Sequence, residues 1–209
     1  MKNRSTCFAI LLLLFLSSCL KEADETILVN DPQRIPFITD DRWPSELLEL
    51  FGEENVNFGD TPPRLECEFK SNHQYVATNL PDGESPSIGS ITPVIHYHKF
   101  CNPYLQICKY HSMNSGENTE HIIDTVYIIG YEKKFTAYYL ETWTTIGRPT
   151  LAVVMSGELA DEGIVNYRYG YQIVSYADDH IPATVYPINS VFIFQDPDHL
   201  SEYSPWTGR

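Results

Sequence analysis

The chain has 209 residues, with 28 acidic against 14 basic side chains and a net charge of −14. A surface this acidic repels nucleic acid and anionic lipid headgroups, so we expect no nucleic-acid partner. The same charge suits neutral or cationic partners. The length is sufficient for one domain with a substantial hydrophobic core, and no internal repeat indicates a second domain.

The N-terminal segment has the features of an export signal. Two basic residues precede an apolar run over 8–16 that is too short to span a bilayer as a mature helix. The sequence LSSC at 16–19 then resembles the bacterial lipobox, which implies cleavage after residue 18 and acylation of Cys19, with palmitate among the chains. An ordinary secretory signal with an incidental cysteine is the alternative. We therefore predict a signal peptide over 1–18 and a mature protein anchored to a membrane by lipid without crossing it.

The residues after the lipid site predict its destination. Leu20 stands where an Asp would retain a lipoprotein in the inner membrane, so we expect the outer membrane. The sequence KEADE at 21–25 resembles the tag of one Lys and several acids that sends lipoproteins of Bacteroidetes-type bacteria to the cell surface. A solvated, charged tether is the alternative. Proline-containing sequences further on argue against regular structure, so we expect a flexible tether over 19–38.

One short helix is predicted at about 44–51. Pro44 suits its first turn, Glu46 favours the positive N-terminal end, and Gly52 suits the position after its C-terminus. The apolar side chains that share one face are Leu47, Leu50 and Phe51. We expect this face to cap an open end of a β-domain that spans 39–209.

Nine β-strands are predicted, because segments rich in Val, Ile, Tyr, Phe and Thr alternate with polar, Gly or Pro breaks. They are expected at 64–70, 74–79, 91–100, 105–111, 124–131, 135–145, 150–155, 164–175 and 190–195. Most connections are short enough for hairpins, so we predict an all-β fold: an antiparallel, lipocalin-like up-and-down barrel, with a two-sheet β-sandwich as the alternative. The longer connections at 80–90 and 112–120 would form the rim of a binding site.

Three segments carry a resemblance to a family. FGDTPP at 58–63, FTAYY at 135–139, and SG at 156–157 together with GIVNY at 163–167 resemble segments of small, uncharacterised lipoproteins of Bacteroidetes-type bacteria. The resemblance covers most of the chain beyond residue 40. It implies a lipocalin-like β-domain and supplies no functional residue.

Aromatic side chains are the candidate ligand-binding residues. Tyr167, Tyr169 and Tyr171 alternate along one predicted strand and therefore share a face. Tyr138 and Trp143 lie nearby in the predicted meander. Tyr and Trp stack on sugar rings and line apolar pockets equally well, although aromatic side chains also fill β-cores.

Three cysteines remain once Cys7 is removed with the signal and Cys19 carries lipid. In an exported protein an odd number suggests one disulfide and one spare thiol. Cys101 and Cys108 flank a short loop that a disulfide could close, and Cys67 would then be the spare. Three reduced, partly buried thiols are the alternative.

Two further patterns are weak indications of metal or acid–base chemistry. His96 and His98 are two apart on a predicted strand, so they point to the same face, as a strand-borne metal pair requires. Glu66, Glu68 and Glu141 could supply paired carboxylates for a glycosidase. With 28 acids such pairs arise by chance, and the usual hydrolase motifs are absent from the sequence, so we expect no enzyme, no metal and no cofactor.

Taken together, these features predict a non-catalytic outer-membrane lipoprotein that binds a small apolar or carbohydrate ligand in an aromatic-lined barrel mouth. One alternative is a structural lipoprotein that contacts an envelope protein through its loops. A second is a carboxylate- or metal-dependent hydrolase. The sequence leaves the identity of any ligand open.

Overall fold

The structure, a computed structural model, describes residues 44–84, 86–104, 107–115, 120–178 and 185–206. Within this part of the chain one α-helix, α1 (Ser45–Phe51), and a 3-10 turn (Glu53–Asn55) precede ten β-strands. The strands are β1 (Asp60–Thr61), β2 (Cys67–Thr78), β3 (Ile91–Tyr104), β4 (Ile107–Asn114), β5 (His121–Tyr131), β6 (Lys134–Thr142), β7 (Pro149–Leu159), β8 (Gly163–Tyr176), β9 (Val191–Gln195) and β10 (Leu200–Glu202).

Strands β2 to β9 form a closed, eight-stranded antiparallel barrel. Each strand pairs with the next one along the chain, and β9 returns to pair with β2, where Tyr75 lies opposite Phe194. Short β1 adds to β5 in parallel, and β10 adds to β8. The predicted up-and-down barrel is therefore confirmed, and the two-sheet sandwich is excluded. Closure leaves no free sheet edge among the eight strands.

The first two predicted strands are one strand, β2. The prediction placed a break around Ser71 and His73, because polar residues in a row are typical of a turn. Both side chains instead face the barrel interior and are buried. A bulge between Asn72 and Gln74 lets the strand bend while it pairs with β3 and then with β9. The predicted number of strands in the barrel was wrong by one for this reason.

The barrel interior has two halves. One end carries the β3–β4, β5–β6 and β7–β8 connections, and its interior is filled by side chains that are at most 1% exposed. We call this the packed half, and its members are Phe69, Phe100, Phe135, Met155, Ile164 and Tyr167. The other end, towards which β2, β4, β6 and β8 run, contains a cavity, and we call it the cavity half.

Helix α1 does not cap an end of the barrel, so that expectation was wrong. Leu47 and Phe51 are buried against the outer surface of β8 and β9. Gly170 of β8 makes this contact possible, because a Cβ there would lie 3.1 Å from the Phe51 ring and 2.7 Å from Ile193. The guanidinium of Arg168 lies 5.5 Å from the centre of the Phe51 ring. Where the helix packs, β8 is therefore buried on both of its faces. Because the helix lies on the outside of the barrel, it does not cover the cavity.

Candidate functional site

The cavity lies inside the barrel and has a volume of about 360 Å³. This is at the small end of the usual range for small-molecule sites. Its lining combines aromatic rings, imidazoles and short polar side chains: His73, Thr92, His96, His98, Tyr110, Ser112, Asn114, His121, Tyr139, Glu141, Trp143, Thr145, Tyr169, Tyr171 and Phe194. Thr92, Asn114 and Thr145 lie at or beyond strand ends, so the cavity extends to the end of the barrel where the connections predicted as a rim begin.

Three of the five predicted ligand-binding aromatics line this cavity. Tyr169 and Tyr171 point inwards from β8, with ring centres 6.0 Å apart. Trp143 follows β6 and lies 5.5 Å from Tyr171, centre to centre. The period-two alternation of β8 predicted this inward face, because its other face carries polar side chains and glycine.

The other two predicted aromatics lie elsewhere. Tyr167 faces inwards but belongs to the packed half, where its hydroxyl donates a hydrogen bond to Met155 Sδ at 3.3 Å. Tyr138 is on the outer face of β6, buried and stacked on Tyr127 at 5.8 Å. Tyr139, one position later, is the β6 tyrosine that lines the cavity. The choice of Tyr138 was therefore wrong by one residue, which in a strand reverses the face.

His98 is held at the floor of the cavity by hydrogen bonds on both ring nitrogens. Its Nε2 lies 2.8 Å from Ser71 Oγ, and its Nδ1 hydrogen-bonds to the Tyr110 hydroxyl. Burial, reinforced by the nearby His96, holds the pKa of His98 well below its usual value. The ring is therefore neutral at physiological pH, and its role here is to connect β2, β3 and β4.

His73 is the unusual member of the lining. It is 4% exposed, and its ring stacks on that of His96 at 3.8 Å. Among the described residues nothing hydrogen-bonds to its Nε2, although the side chain borders the cavity. Burial and the two neighbouring imidazoles hold its pKa well below the usual value. A buried polar atom without a partner costs free energy, so a ligand group that reached this nitrogen would remove that cost.

The imidazoles do not form a metal centre. Within the described ranges no group of three or more His, Cys, Asp or Glu side chains could hold a metal ion. The rings of the two predicted weak ligands, His96 and His98, lie nearly parallel at 21° with centres 6.3 Å apart. Their arrangement is that of stacked aromatic side chains rather than of nitrogens that converge on one point.

Glu141 places a carboxyl group inside the cavity. It is 7% exposed, and its Oε1 lies 3.6 Å from Nδ1 of His121. Burial raises its pKa above the usual value, and a hydrogen bond with Trp143 and the nearby His121 oppose this rise. Ionisation of this carboxyl group among aromatic rings is therefore costly unless a counter-charge lies close to it.

The other two candidate carboxylates do not join Glu141. Glu68 faces outwards and forms an ion pair with Lys99 at 2.8 Å, and Glu66 forms an exposed one with Arg64 at 3.0 Å. They flank no common space with Glu141, so a glycosidase-like pair of these residues is not assembled.

The predicted disulfide is not formed, because Cys67, Cys101 and Cys108 are all free thiols. Cys101 lies opposite Lys109 in the β3–β4 pair, so these two side chains share one face of the sheet. Cys108 is next to Lys109 on the same strand and therefore points to the other face. Cys108 is buried inside the barrel whereas Cys101 is partly exposed. Burial raises the pKa of Cys67 and of Cys108 to about 12, so both remain protonated thiols.

Sequence reasoning missed His73, Tyr139 and the role of Glu141 in the cavity. A signal for His73 was present, because Phe69, Ser71, His73 and Tyr75 alternate with period two. No comparable signal existed for Tyr139, since residues 135–139 are all buried and both faces of β6 read as core.

The predicted signal peptide, Cys19 and the tether lie outside the described residues. Within the part that the structure describes, no helix has the length and hydropathy required to cross a membrane. Comparison with models of known protein families, with curated proteins and with solved structures finds no match for this chain. The function is therefore inferred from the barrel and its cavity.

Proposed function

We propose that this protein is a non-catalytic, lipid-anchored binding protein that holds a small apolar or carbohydrate ligand in the cavity half of its barrel. The observation that supports this most is the cavity itself, with six Tyr, Trp and Phe side chains and a buried, unpartnered His73 Nε2 at its walls. Stacking surfaces with a few placed polar groups are typical of small-molecule sites.

The cavity also distinguishes between the alternatives. A structural lipoprotein that presents only its loops has no need of a hollow interior, whereas a binding protein requires one. A hydrolase requires carboxylates or a metal site at set separations, and the carboxylates proposed for that role lie on opposite sides of the barrel wall. Binding of a small molecule is the function that accounts for a cavity lined by aromatic and polar side chains.

We further propose that the protein belongs among the lipoproteins of Bacteroidetes-type bacteria that it resembles, and that acylated Cys19 anchors it to the outer membrane at the cell surface. The support is the lipobox-like sequence at 16–19 and the charged tag at 21–25. Acylation of one cysteine by several chains would give stable anchoring, because each buried methylene contributes about 0.8 kcal/mol.

Native mass spectrometry of the full chain, expressed with its signal and extracted in mild detergent, tests both parts. We expect a mass that corresponds to cleavage before Cys19 plus acyl chains, and a Cys19→Ala variant that lacks the acyl chains. We also expect a stoichiometric small-molecule adduct. An unprocessed, unacylated mass would contradict the anchoring proposal.

Two bulky substitutions locate the adduct. Ser112 lines the cavity, so Ser112→Phe should abolish the adduct by filling the space. Thr142 is exposed on the outer face of β6, so Thr142→Phe is the matched control and should retain it. An adduct that survives Ser112→Phe, or the absence of any adduct from all preparations, would count against ligand binding in the barrel.

A further inference from the structure

The described cavity lining contains an acidic side chain but no Lys or Arg. Glu141 is the only acidic side chain among the described lining residues. The basic side chain that lies beside its carboxylate is His121, whose Nδ1 is 3.6 Å from Glu141 Oε1, longer than a hydrogen bond but within the range of an ion pair. A buried carboxylate needs a counter-charge close by, and the described lining supplies one imidazole at ion-pair distance and a hydrogen bond from Trp143, but no permanent cation.

The aromatic walls of the cavity favour a cation. The Trp143, Tyr169 and Tyr171 rings line the same cavity, and the faces of such rings attract ammonium groups. An anionic ligand would meet the same rings and the Glu141 carboxylate without any Lys or Arg to offset the repulsion.

The imidazoles of His73 and His98 do not oppose a cation, because both rings are neutral. Both ring nitrogens of His98 are engaged by Ser71 and Tyr110, and burial holds the pKa of His73 well below its usual value. His73 Nε2 can accept a hydrogen bond from an N–H or, in the other tautomer, donate one to an oxygen. The stacked His73 and His96 rings add a flat surface against which a ring can pack.

We propose that the cavity recognises a small organic cation, namely a primary ammonium group on a compact ring-shaped body, with Glu141 as its counter-ion. The ammonium group lies between the Glu141 carboxylate and the aromatic walls, and the ring lies towards His73. The volume of about 360 Å³ limits the ligand to a compact molecule. This inference rests on the proposed function, since it names the ligand class of the same cavity.

Isothermal titration calorimetry with three probes of similar shape tests the inference: 2-phenylethylamine, 2-phenylethanol and 3-phenylpropionate. The titrations use the full chain in detergent at neutral pH, as wild type, Glu141→Gln and Glu158→Gln. Glutamine keeps the shape of Glu141 and removes its charge. Glu158 lies on β7 outside the cavity, so its variant is the matched control for loss of one negative charge. Thermal unfolding of each variant verifies the fold.

We expect wild type to bind the amine at least tenfold more tightly than the alcohol, and the carboxylate most weakly. In Glu141→Gln the affinity for the amine should fall to that for the alcohol, while Glu158→Gln behaves as wild type. Lowering the pH should weaken binding of the amine in wild type, because protonation removes the charge of Glu141. The titratable groups that face Glu141 are His121 from β5, Tyr110 from β4, Tyr169 from β8 and Tyr139 from β6.

The outcomes separate this inference from the proposed function. Equal affinity for amine and alcohol, or a preference for the amine that persists in Glu141→Gln, would overturn the ammonium site and leave small-molecule binding intact. Absence of binding by all three probes, together with a co-purified adduct in native mass spectrometry, would likewise overturn this ligand class alone. Absence of both probe binding and adduct would overturn the two proposals together.

Discussion

The two halves of the barrel interior are built from the same strands and differ in what fills them. In the packed half, the rings of Phe69, Phe100 and Phe135 lie in contact, with centres about 6 Å apart. In the cavity half, the strands carry imidazoles, tyrosines and one carboxylate around about 360 Å³ of space. Close packing stabilises the first half, whereas the second contains polar groups and space that reduce stability and allow binding.

The boundary between the halves passes through two histidines of adjacent strands. His98 has partners for both ring nitrogens, and His73 has none for its Nε2 among the described residues. The first behaves as part of the scaffold and the second as part of the site. The difference between the halves is thus visible in two side chains of the same type.

The largest effect is expected from a cavity made in the packed half. Phe100→Ala should lower the free energy of unfolding by about 3–5 kcal/mol, because Phe100 is 1% exposed and contacts three other rings. Trp143→Ala, in the cavity half, should cost only about 1 kcal/mol, because its ring borders space that already exists. Urea denaturation of both variants measures the difference, and equal losses would contradict the division into halves.

An intermediate effect is expected at His98. His98→Phe keeps a flat ring and leaves the hydroxyl groups of Ser71 and Tyr110 without their buried partner. The expected loss is about 1–3 kcal/mol in the free energy of unfolding. Ser71→Ala combined with His98→Phe should recover part of this loss, because one unpaired hydroxyl is then removed. A single His98→Phe variant as stable as wild type would show that the network does not support the scaffold.

Each end of the barrel also has a buried carboxyl group whose pKa is raised. Asp196 follows β9 at the packed end and accepts hydrogen bonds from Asn72 N and Ser201 Oγ, and burial raises its pKa to about 6. Because the folded state then holds its proton more tightly than the unfolded state, stability falls as pH rises from about 4 through about 6. Asp196→Asn should remove this part of the pH dependence.

The matched carboxyl group of the cavity half is Glu141, and Glu141→Gln should likewise flatten the pH profile of stability as it removes amine binding. Thermal unfolding of wild type and both variants between pH 4 and pH 8 measures the two contributions. A profile that is identical in wild type and Asp196→Asn would refute the raised pKa at that site.

The smallest effect on stability is expected at His73. His73→Phe replaces a buried ring whose Nε2 has no partner in the described residues, so the free energy of unfolding should stay constant or rise by up to about 1 kcal/mol. Ligand binding should weaken in the same variant, because His73 Nε2, an unpartnered polar atom of the described cavity lining, is lost. Calorimetry on the ligand and urea denaturation together separate these effects. A loss of stability as large as that of His98→Phe would erase the distinction between the two histidines.

The sequence by itself was sufficient for the fold class and for part of the site. Short connections between β-rich segments predicted the meander, and the clean alternation of β8 placed Tyr169 and Tyr171 inside. The closing pair of β2 with β9 joins residues about 120 apart in the chain, so no local pattern could choose barrel over sandwich with certainty. Alternation is informative only where one face of a strand is polar.

Tertiary structure alone decided the remainder. On the outside of β6, Asn57 N donates a hydrogen bond to Thr136 Oγ1 at 2.7 Å, and Tyr138 stacks on Tyr127 at 5.8 Å. Both faces of this part of β6 are therefore buried, so the sequence did not distinguish Tyr138 from Tyr139. Helix α1 packs on the outer surface of β8 because Gly170 leaves space there for Phe51. A single glycine in a strand sequence does not predict which residue will pack against it. The position of Glu141 in a cavity lined by aromatic rings likewise follows from closure of the barrel, which brings β5, β6 and β8 around one cavity.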